Sequence, residues 1–191
     1  MAAFRFAPVT KARWSDFEKL FEAKGGPSYC WCMAWRDMPN RQNATNDERK
    51  AAMSAFVADG TPVGLLGYVG DEVAGWCSVA PRDALRKLSS TQDDQEKDVW
   101  SVVCFYVARR HRRSGLGAAL LDAAIEYAFR KGAKSIEAYP VDPDSPSYRF
   151  MGFKKTFAGR GFRETGMAGS RRHVMRLDRT AAGSAKLANG L

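Results

Sequence analysis

The spacing of apolar residues predicts alternating strands and helices from the start of the chain. An alternating segment at 4–10 is typical of a short strand, and the residues that follow at 14–23 repeat at helical spacing. A second helix is predicted from Asn46, a residue type that favours the N-cap, to about residue 59. Between the helices, the aromatic and cysteine-rich segment 28–39 follows neither period. It is predicted to be a packed loop or a short helix.

Three strands are predicted next. Residues 63–69 and 72–81 flank a Gly70-Asp71 turn, which is the signature of a β-hairpin. The near-continuous apolar run at 99–108 indicates a central strand that is buried on both faces.

The second half of the chain contains the clearest helix. From Leu116 to the glycine at 132, apolar residues repeat at helical spacing. A strand is predicted at 134–141, a weaker helix at 149–159, and two final strands at 161–167 and 172–179. This order predicts an α/β fold, also describable as mixed α+β, with a twisted mixed sheet of about seven strands flanked by helices.

Length and composition are consistent with one domain. The chain has 191 residues, of which 45% are hydrophobic and 27% are charged, so it can bury a substantial core. We expect a single domain over 1–179 and a flexible tail over 180–191. The N-terminus lacks the apolar core of a secretory signal, and no run approaches the ~18 apolar residues of a membrane span. A cytoplasmic protein with no membrane contact is expected.

Charge and cysteine content narrow the expected partners. The formal net charge is +9, with a local excess of basic residues over 149–179, so an anionic ligand is expected. Four cysteines are too few for a disulfide framework, and reduced thiols are expected. A four-thiolate zinc site is conceivable, but the Cys30-x-Cys32 spacing and the presence of only two histidines argue against it. The expectation is no metal.

One motif points to phosphate chemistry. Arg112-x-x-Gly115-x-Gly117 lies between the predicted buried strand and the clearest helix. A glycine-rich turn entering a helix presents free backbone N–H groups at the positive end of the helix dipole. The alternative is a tight strand-to-helix turn with a solvated arginine cluster. Neither the P-loop pattern nor the dinucleotide-binding Gly-x-Gly-x-x-Gly pattern is present.

With this motif, the chain resembles the GCN5-related N-acetyltransferase (GNAT) superfamily, as a bacterial-type member. The family's acetyl-CoA loop, Gln/Arg-x-x-Gly-x-Gly/Ala, follows its fourth strand, and Gly161-Phe162 resembles the family's opening of the sixth strand. The resemblance extends over about 4–178 through the order of the elements. It implies that acetyl-CoA enters between strands four and five as the co-substrate.

The resemblance also implies which residues bind acetyl-CoA. The backbone of the strand before the loop would bind the pantetheine arm through Phe105, Tyr106 and Val107. The pyrophosphate would be held by the amides of the turn and the first helical residues, which are Arg112, Arg113, Ser114, Gly115, Leu116, Gly117 and Ala118. An amine then attacks the thioester directly, so a base and a proton donor for the CoA thiolate are needed.

The candidate catalytic residues are less typical of the family. Phe157 occupies the position where many members have the tyrosine that protonates CoA, so Tyr148 is the candidate donor, with aromatic packing as its alternative role. Glu137, set between apolar neighbours, is the candidate base. Its alternative role is an ion pair with an arginine, in which case Glu96 or Asp98 would be candidate bases.

These observations predict an acetyl-CoA-dependent N-acetyltransferase that acts on a primary amine of a small molecule or peptide. A non-catalytic acyl-CoA-binding regulatory module is the alternative, because of Phe157. A nucleic-acid-binding role is disfavoured, since no binding motif accompanies the charge. Trp31, Trp35 and Trp76 either line the acceptor pocket or pack in the core. The oligomeric state is open, with a homodimer as one alternative.

Overall fold

A computed structural model describes residues 3–90 and 92–179, so the predicted tail at 180–191 lies outside the described residues. The strands are β1 (Phe4–Pro8), β2 (Leu65–Val69), β3 (Glu72–Pro81), β4 (Val99–Val107), β5 (Ser135–Ala138), β6 (Arg163–Ala168) and β7 (Arg172–Asp178). The α-helices are α1 (Trp14–Glu22), α2 (Asn46–Ala58), α3 (Leu116–Arg130) and α4 (Lys154–Ala158). None of the helices in these two ranges is long and apolar enough to cross a membrane.

The seven strands form one mixed sheet in the order β1-β2-β3-β4-β5-β7-β6. Every neighbouring pair is antiparallel except β4 and β5, which are parallel and are connected through α3. A parallel pair requires a crossover connection, and a helix is its usual form. The predicted mixed sheet of about seven strands flanked by helices is confirmed.

The core lies on both faces of the sheet. On one face, α3 inserts its apolar stripe against β4 and β5, with Leu120 and Ala124 fully buried beside Val102 and Ile136. The other face is covered by α1, α2 and the loop between them, where the Phe17 ring lies 4.9 Å from that of Trp76. Because both faces are covered, the central strands read as continuous apolar runs, as the sequence predicted for β4.

Strand β4 contains a bulge at Val103. In the register with β3, Ser78 faces Cys104 and Val79 faces Val102, so Val103 is an extra residue without an opposite partner. The pairing of β4 with β5 ends at the same point, with Val102 opposite Ala138. Since a bulge bends its strand and increases the twist, β4 and β5 diverge beyond this point.

Two predicted elements are shorter than expected. Strand β5 ends at Ala138 rather than at 141, and Pro140, which has no N–H to donate to a ladder, follows soon after. The helix predicted at 149–159 is divided into a short 3-10 helix at Arg149–Met151 and the five-residue α4. Gly152, at a φ of +87°, separates them, and such a conformation interrupts a right-handed helix.

Helix α2 is capped by Thr45 and not by Asn46, which is its first residue. The Thr45 hydroxyl accepts a bond from the Glu48 amide at 3.2 Å, and the Glu48 carboxylate accepts one from the Thr45 amide at 2.6 Å. These two bonds form a capping box. The bond from the Thr45 amide, together with that from its hydroxyl, lowers the pKa of the exposed Glu48 carboxyl.

Replacing Thr45 is therefore expected to destabilise the protein. Thr45→Ala should lower the free energy of unfolding by about 1 kcal/mol, because an amide of the first turn loses its acceptor. Asn46→Ala is the matched control, and it should cost less than half of that. Urea denaturation of both variants measures the difference, and an equal or larger loss for Asn46→Ala would contradict the assignment of the cap.

Candidate active site

The parted strands leave an open edge along the C-terminal half of β4. From Cys104 to Val107 this half is partly exposed, whereas the residues from Val99 to Val103 are buried. On this half of β4, Phe105 and Val107 pack on the α3 side, while Cys104 and Tyr106 pack on the side of α1. The backbone edge that faces β5 pairs with it only as far as Val102. An extended ligand could therefore bind here as an additional strand.

The N-terminus of α3 begins immediately beyond this edge. Gly115 is its N-cap and has a φ of +90°, a left-handed conformation that glycine adopts without strain. Ala119 donates to the Gly115 carbonyl at 3.0 Å, so the preceding amides of the first turn point outward at the positive end of the helix dipole. A Cβ built at Gly117 would meet only Val107, at 3.8 Å, so the surface above the turn is open.

Arg112 bonds this turn to the end of β4, and the neighbouring arginines make its surroundings positive. The Arg112 Nε donates to the Val107 carbonyl at 3.0 Å, and the Ser114 hydroxyl donates to the His111 carbonyl at 2.7 Å. Arg109 and Arg113 are exposed. The structure thus brings together, at one end of β4, all the residues that the sequence predicts to bind acetyl-CoA. Their part in binding stays a prediction.

A cavity of about 180 Å³ borders the same half of β4. Its wall is formed by the loop that follows α1 and by β4, and it is lined by Pro27, Tyr29, Cys30, Cys32, Ala34, Trp35, Cys104, Phe105, Tyr106 and Phe150. We call it the β4 cavity. Of the three tryptophans considered from sequence, Trp35 lines it, whereas Trp31 and Trp76 are buried in the core. Aromatic and apolar walls of this kind suit a small organic group.

Glu137 lies on β5 next to the point where the strands part. It is the only buried carboxylate among residues 3–90 and 92–179. Its Oε1 accepts from Arg82 at 3.0 Å, and its Oε2 accepts from the Tyr139 hydroxyl at 2.7 Å. Arg82 is itself buried and also donates to the backbone carbonyl of Glu96 at 3.1 Å. The ion pair that the sequence left open as an alternative is therefore present.

Tyr148 and Phe157 occupy different environments. Tyr148 is 37% exposed at a left-handed φ of +59°, and its ring lies 6.3 Å from that of Trp35 at the rim of the β4 cavity. Phe157 is fully buried and packs 6.2 Å from Phe105 and 5.3 Å from Phe162. Packing thus accounts for Phe157, while Tyr148 is partly exposed.

The other candidate carboxylates are held in ion pairs. Glu96 pairs with Arg176, and that bond lowers the pKa of the Glu96 carboxyl, while Asp98 pairs with Lys134 at 2.9 Å. Four of the nine lysines and arginines at 149–179 form ion pairs with carboxylates, namely Lys154, Arg160, Arg163 and Arg176.

Neither a metal centre nor a disulfide appears in the described ranges. No group of three or more His, Cys, Asp or Glu side chains there is arranged to hold a metal ion, and the expected absence of a metal stays a prediction. The four cysteines are free thiols. Cys30 and Cys32 line the β4 cavity, beside Cys104. Sequence reasoning missed the buried Arg36 in the same loop, which Asp37 follows directly in the sequence.

A mixed sheet with two parted parallel strands and a glycine-capped helix beside the gap defines the class of acyl-CoA-dependent acetyltransferases. The chain belongs to the acetyltransferase (GNAT) family, whose model matches residues 10–153. The expected family membership is confirmed. A comparison with curated proteins found no match.

Solved structures of the family share the fold. An N-acetyltransferase from Staphylococcus aureus Mu50 is 14% identical, with a TM-score of 0.57 and coverage of 93% of this chain and 99% of the other. A putative acetyltransferase from Salmonella typhimurium, solved with acetyl-CoA, is 19% identical, with a TM-score of 0.56 and coverage of 94% and 95%. An N-acetyltransferase from Thermoplasma acidophilum, solved with coenzyme A, is 11% identical, with a TM-score of 0.54 and coverage of 93% and 99%.

The open surface at Gly117 allows a test of the loop. Gly117→Glu should weaken coenzyme A binding at least tenfold, ~1.4 kcal/mol, because a carboxylate would project where the outward amides attract phosphate. Gly117→Ala, which adds only a methyl group, should bind more tightly than Gly117→Glu. Calorimetric titration measures both affinities, and thermal unfolding checks that the variants are folded. Unchanged affinity in a folded Gly117→Glu protein would contradict the assignment.

Proposed function

We propose that this protein transfers the acetyl group of acetyl-CoA to a primary amine of a small molecule or peptide, by direct attack of the amine on the thioester. The observation that carries the proposal is the opening between β4 and β5 beside the N-terminus of α3. It offers a free strand edge for an extended chain that carries amides and an anion-binding turn for a pyrophosphate, and acetyl-CoA contains both groups.

The residues of this chain fit acetyl-CoA in two ways. The turn from Arg112 to Ala118 is exposed, apart from the half-buried Gly117 and the buried Leu116. The open edge of β4 from Phe105 to Val107 leads from this turn to the β4 cavity. In this arrangement the thioester end lies at the cavity and the nucleotide end lies at the arginine-rich turn.

The β4 cavity is the proposed acceptor site. It borders the acyl end of β4, and its walls are mainly apolar and aromatic. A cavity of about 180 Å³ admits a small group, so the acceptor would place a compact apolar or aromatic part there and its amine at the gap.

Glu137 is the proposed base and Tyr148 the proposed proton donor. Glu137 is one residue before the last paired position of β5, and its Oε1 accepts a hydrogen bond from Arg82 at 3.0 Å. To accept a proton from the amine, directly or through water, the carboxylate must share a contact that it now makes with Arg82 or Tyr139. Tyr148, at the rim of the cavity, would return a proton to the CoA thiolate.

Turnover tests the proposed function directly. The purified protein is incubated with acetyl-CoA and a panel of primary amines, including aromatic amines and peptide N-termini, and the release of free CoA is measured. Release that depends on an amine and yields its N-acetyl product is expected. Binding of acetyl-CoA without amine-dependent release across the panel would favour the alternative of a regulatory module, which the phenylalanine at 157 suggested.

Two substitutions test the catalytic residues. Glu137→Gln should lower kcat by about 10²- to 10⁴-fold, the usual cost of losing a general base, with little change in acetyl-CoA affinity. Tyr148→Phe should lower kcat without changing that affinity, whereas Tyr29→Phe, at an exposed tyrosine on the same cavity, should have a smaller effect.

The ion pair requires a stability control for Glu137. Removing one partner of a buried pair costs about 3–5 kcal/mol, so the free energy of unfolding of Glu137→Gln is measured beside kcat. If the variant remains folded at the assay temperature and retains the wild-type kcat and pH-rate profile, Glu137 serves only to hold Arg82.

A further inference from the structure

A fully buried arginine lies behind the β4 cavity. Arg36 has 0% exposed surface, and its Nη2 donates to the Val63 carbonyl at 3.0 Å and to the Ser78 hydroxyl at 3.3 Å. Its Nε and Nη1 are buried and have no hydrogen-bond partner among the described residues. No carboxylate among the described residues forms an ion pair with Arg36, and the charges that act on it are those of Cys32 and Cys104. A guanidinium held out of water in this way requires a negative group nearby.

Two thiols are the groups that can supply the negative charge. Among the described side chains, Cys32 and Cys104 are the ones whose charge acts on Arg36. Cys32 has the better surroundings for a thiolate, since Trp76 Nε1 donates to its sulfur at 3.4 Å. The interaction with the neighbouring Cys104 thiol, followed by the charge of Arg36, lowers the pKa of Cys32, and the same interaction raises the pKa of Cys104.

The backbone holds Cys32 in this position. Trp31 and Cys32 have consecutive positive φ values of +44° and +56°, a conformation that is rare for residues with a side chain. Such backbone strain persists only where the surroundings fix it, and here the buried Trp31 ring is stacked against Phe21. The thiol of Cys32 is thus presented to Cys104 from a rigid turn.

The remaining cysteines are in different environments. Cys30 also lines the cavity, but burial raises its pKa to about 11, and its thiol donates to the Pro27 carbonyl at 3.4 Å. Cys77 is fully buried, and burial raises its pKa well above the ordinary value. Cys32, the thiol whose pKa is lowered, and Cys104 both line the β4 cavity.

We propose that Cys32 and Cys104 are a peroxide-oxidisable thiol pair in the wall of the acceptor site. The Cys32 thiolate attacks one oxygen of hydrogen peroxide, the O–O bond breaks, and hydroxide leaves, which converts Cys32 to a sulfenic acid. The Cys104 sulfur then attacks the Cys32 sulfur, the S–O bond breaks, and the Cys104 proton leaves with the hydroxyl group as water. Peroxide is reduced by two electrons, and the two cysteines are oxidised to a disulfide.

The disulfide would act on the site that the proposed function uses. Cys104 is adjacent to the bulge at Val103, and Cys32 is in the loop that forms the opposite wall of the cavity. Drawing the two sulfurs to bonding distance, ~2.05 Å, would pin that loop to β4 at the acyl end. The formation of the disulfide does not depend on the proposed function, but its effect on acetyl transfer does.

The test uses the full chain, first reduced and then treated with a small molar excess of hydrogen peroxide. Intact mass and peptide mapping should show the loss of two hydrogens and a Cys32–Cys104 linkage, reversed by dithiothreitol. Cys104→Ser should instead accumulate a sulfenic acid at Cys32 that dimedone traps. Cys30→Ser, the matched control in the same loop, should still form the disulfide. Oxidation that begins at Cys30, or only intermolecular disulfides, would overturn the proposal.

The role of Arg36 is tested separately by alkylation. With iodoacetamide near neutral pH, Cys32 should react at least about tenfold faster than Cys30 in the folded wild type. Arg36→Met should reduce that ratio, and Arg36→Lys should restore part of it. If Arg36→Met does not fold, the ratio of the Cys32 and Cys30 alkylation rates in the wild type is the deciding measurement. Equal rates would refute a thiolate at Cys32.

Acetyl transfer is measured on the same samples. The rate of acetyl transfer by the oxidised wild type should fall at least tenfold and recover on reduction. Cys104→Ser cannot form the disulfide, so its oxidation should not cause this reversible loss. A disulfide without loss of transfer would overturn the effect on the site. The absence of transfer in the reduced protein, with the disulfide still formed, would count against the proposed function alone.

Discussion

The bulge at Val103 is the constraint on which the rest of the site depends. One extra residue in β4 ends the parallel pairing with β5 at Val102 and leaves the following strand edge open. The bulge also interrupts the alternation of β4 side chains between the two faces of the sheet. Val102 packs on the α3 face, whereas Val103 and Cys104 both pack on the other face. The gap beside β5 and the side of the sheet on which Cys104 lies both follow from this single irregularity.

Two buried arginines show how the chain places charge around that gap. Arg82 is compensated by a carboxylate, Glu137, on the neighbouring parallel strand, and it also holds the acidic loop that precedes β4. Arg36 has no described carboxylate partner and lies among thiols behind the cavity. The first arrangement pairs an arginine with a carboxylate beside the gap, and in the second the charge of the arginine contributes to lowering the pKa of Cys32. Both arginines are on the face of the sheet opposite α3.

The sequence was sufficient to predict the order of the elements and the glycine-rich turn before α3. It was not sufficient to predict the geometry around them. Helix α3 and the hairpin of β2 and β3 were predicted because their periodicity and turn residues are local signals. The bulge could not be predicted, since its register depends on the pairing of β4 with β3. The shift of the α2 cap by one residue was also missed, because both Thr45 and Asn46 are favourable cap residues.

The contacts of the candidate residues could not be predicted from the sequence either. The ion pair of Glu137 was left as an alternative because its partner, Arg82, is 55 residues away in the sequence. The complete burial of Arg36 was not predicted, because it depends on how the loop after α1 packs on the sheet. Such contacts between distant segments depend on how the loops pack, which a one-dimensional pattern does not contain.

Amide hydrogen exchange with and without coenzyme A tests the central claim most directly, because it reports where the ligand contacts the backbone. The account predicts slower exchange at 113–118 and along the open edge of β4 at 103–107, with the remainder of the sheet little changed. A larger cavity of about 450 Å³ lies at the other end of β4, around Arg82 and Lys97. Slower exchange at 82–98 in place of 113–118 would contradict the account.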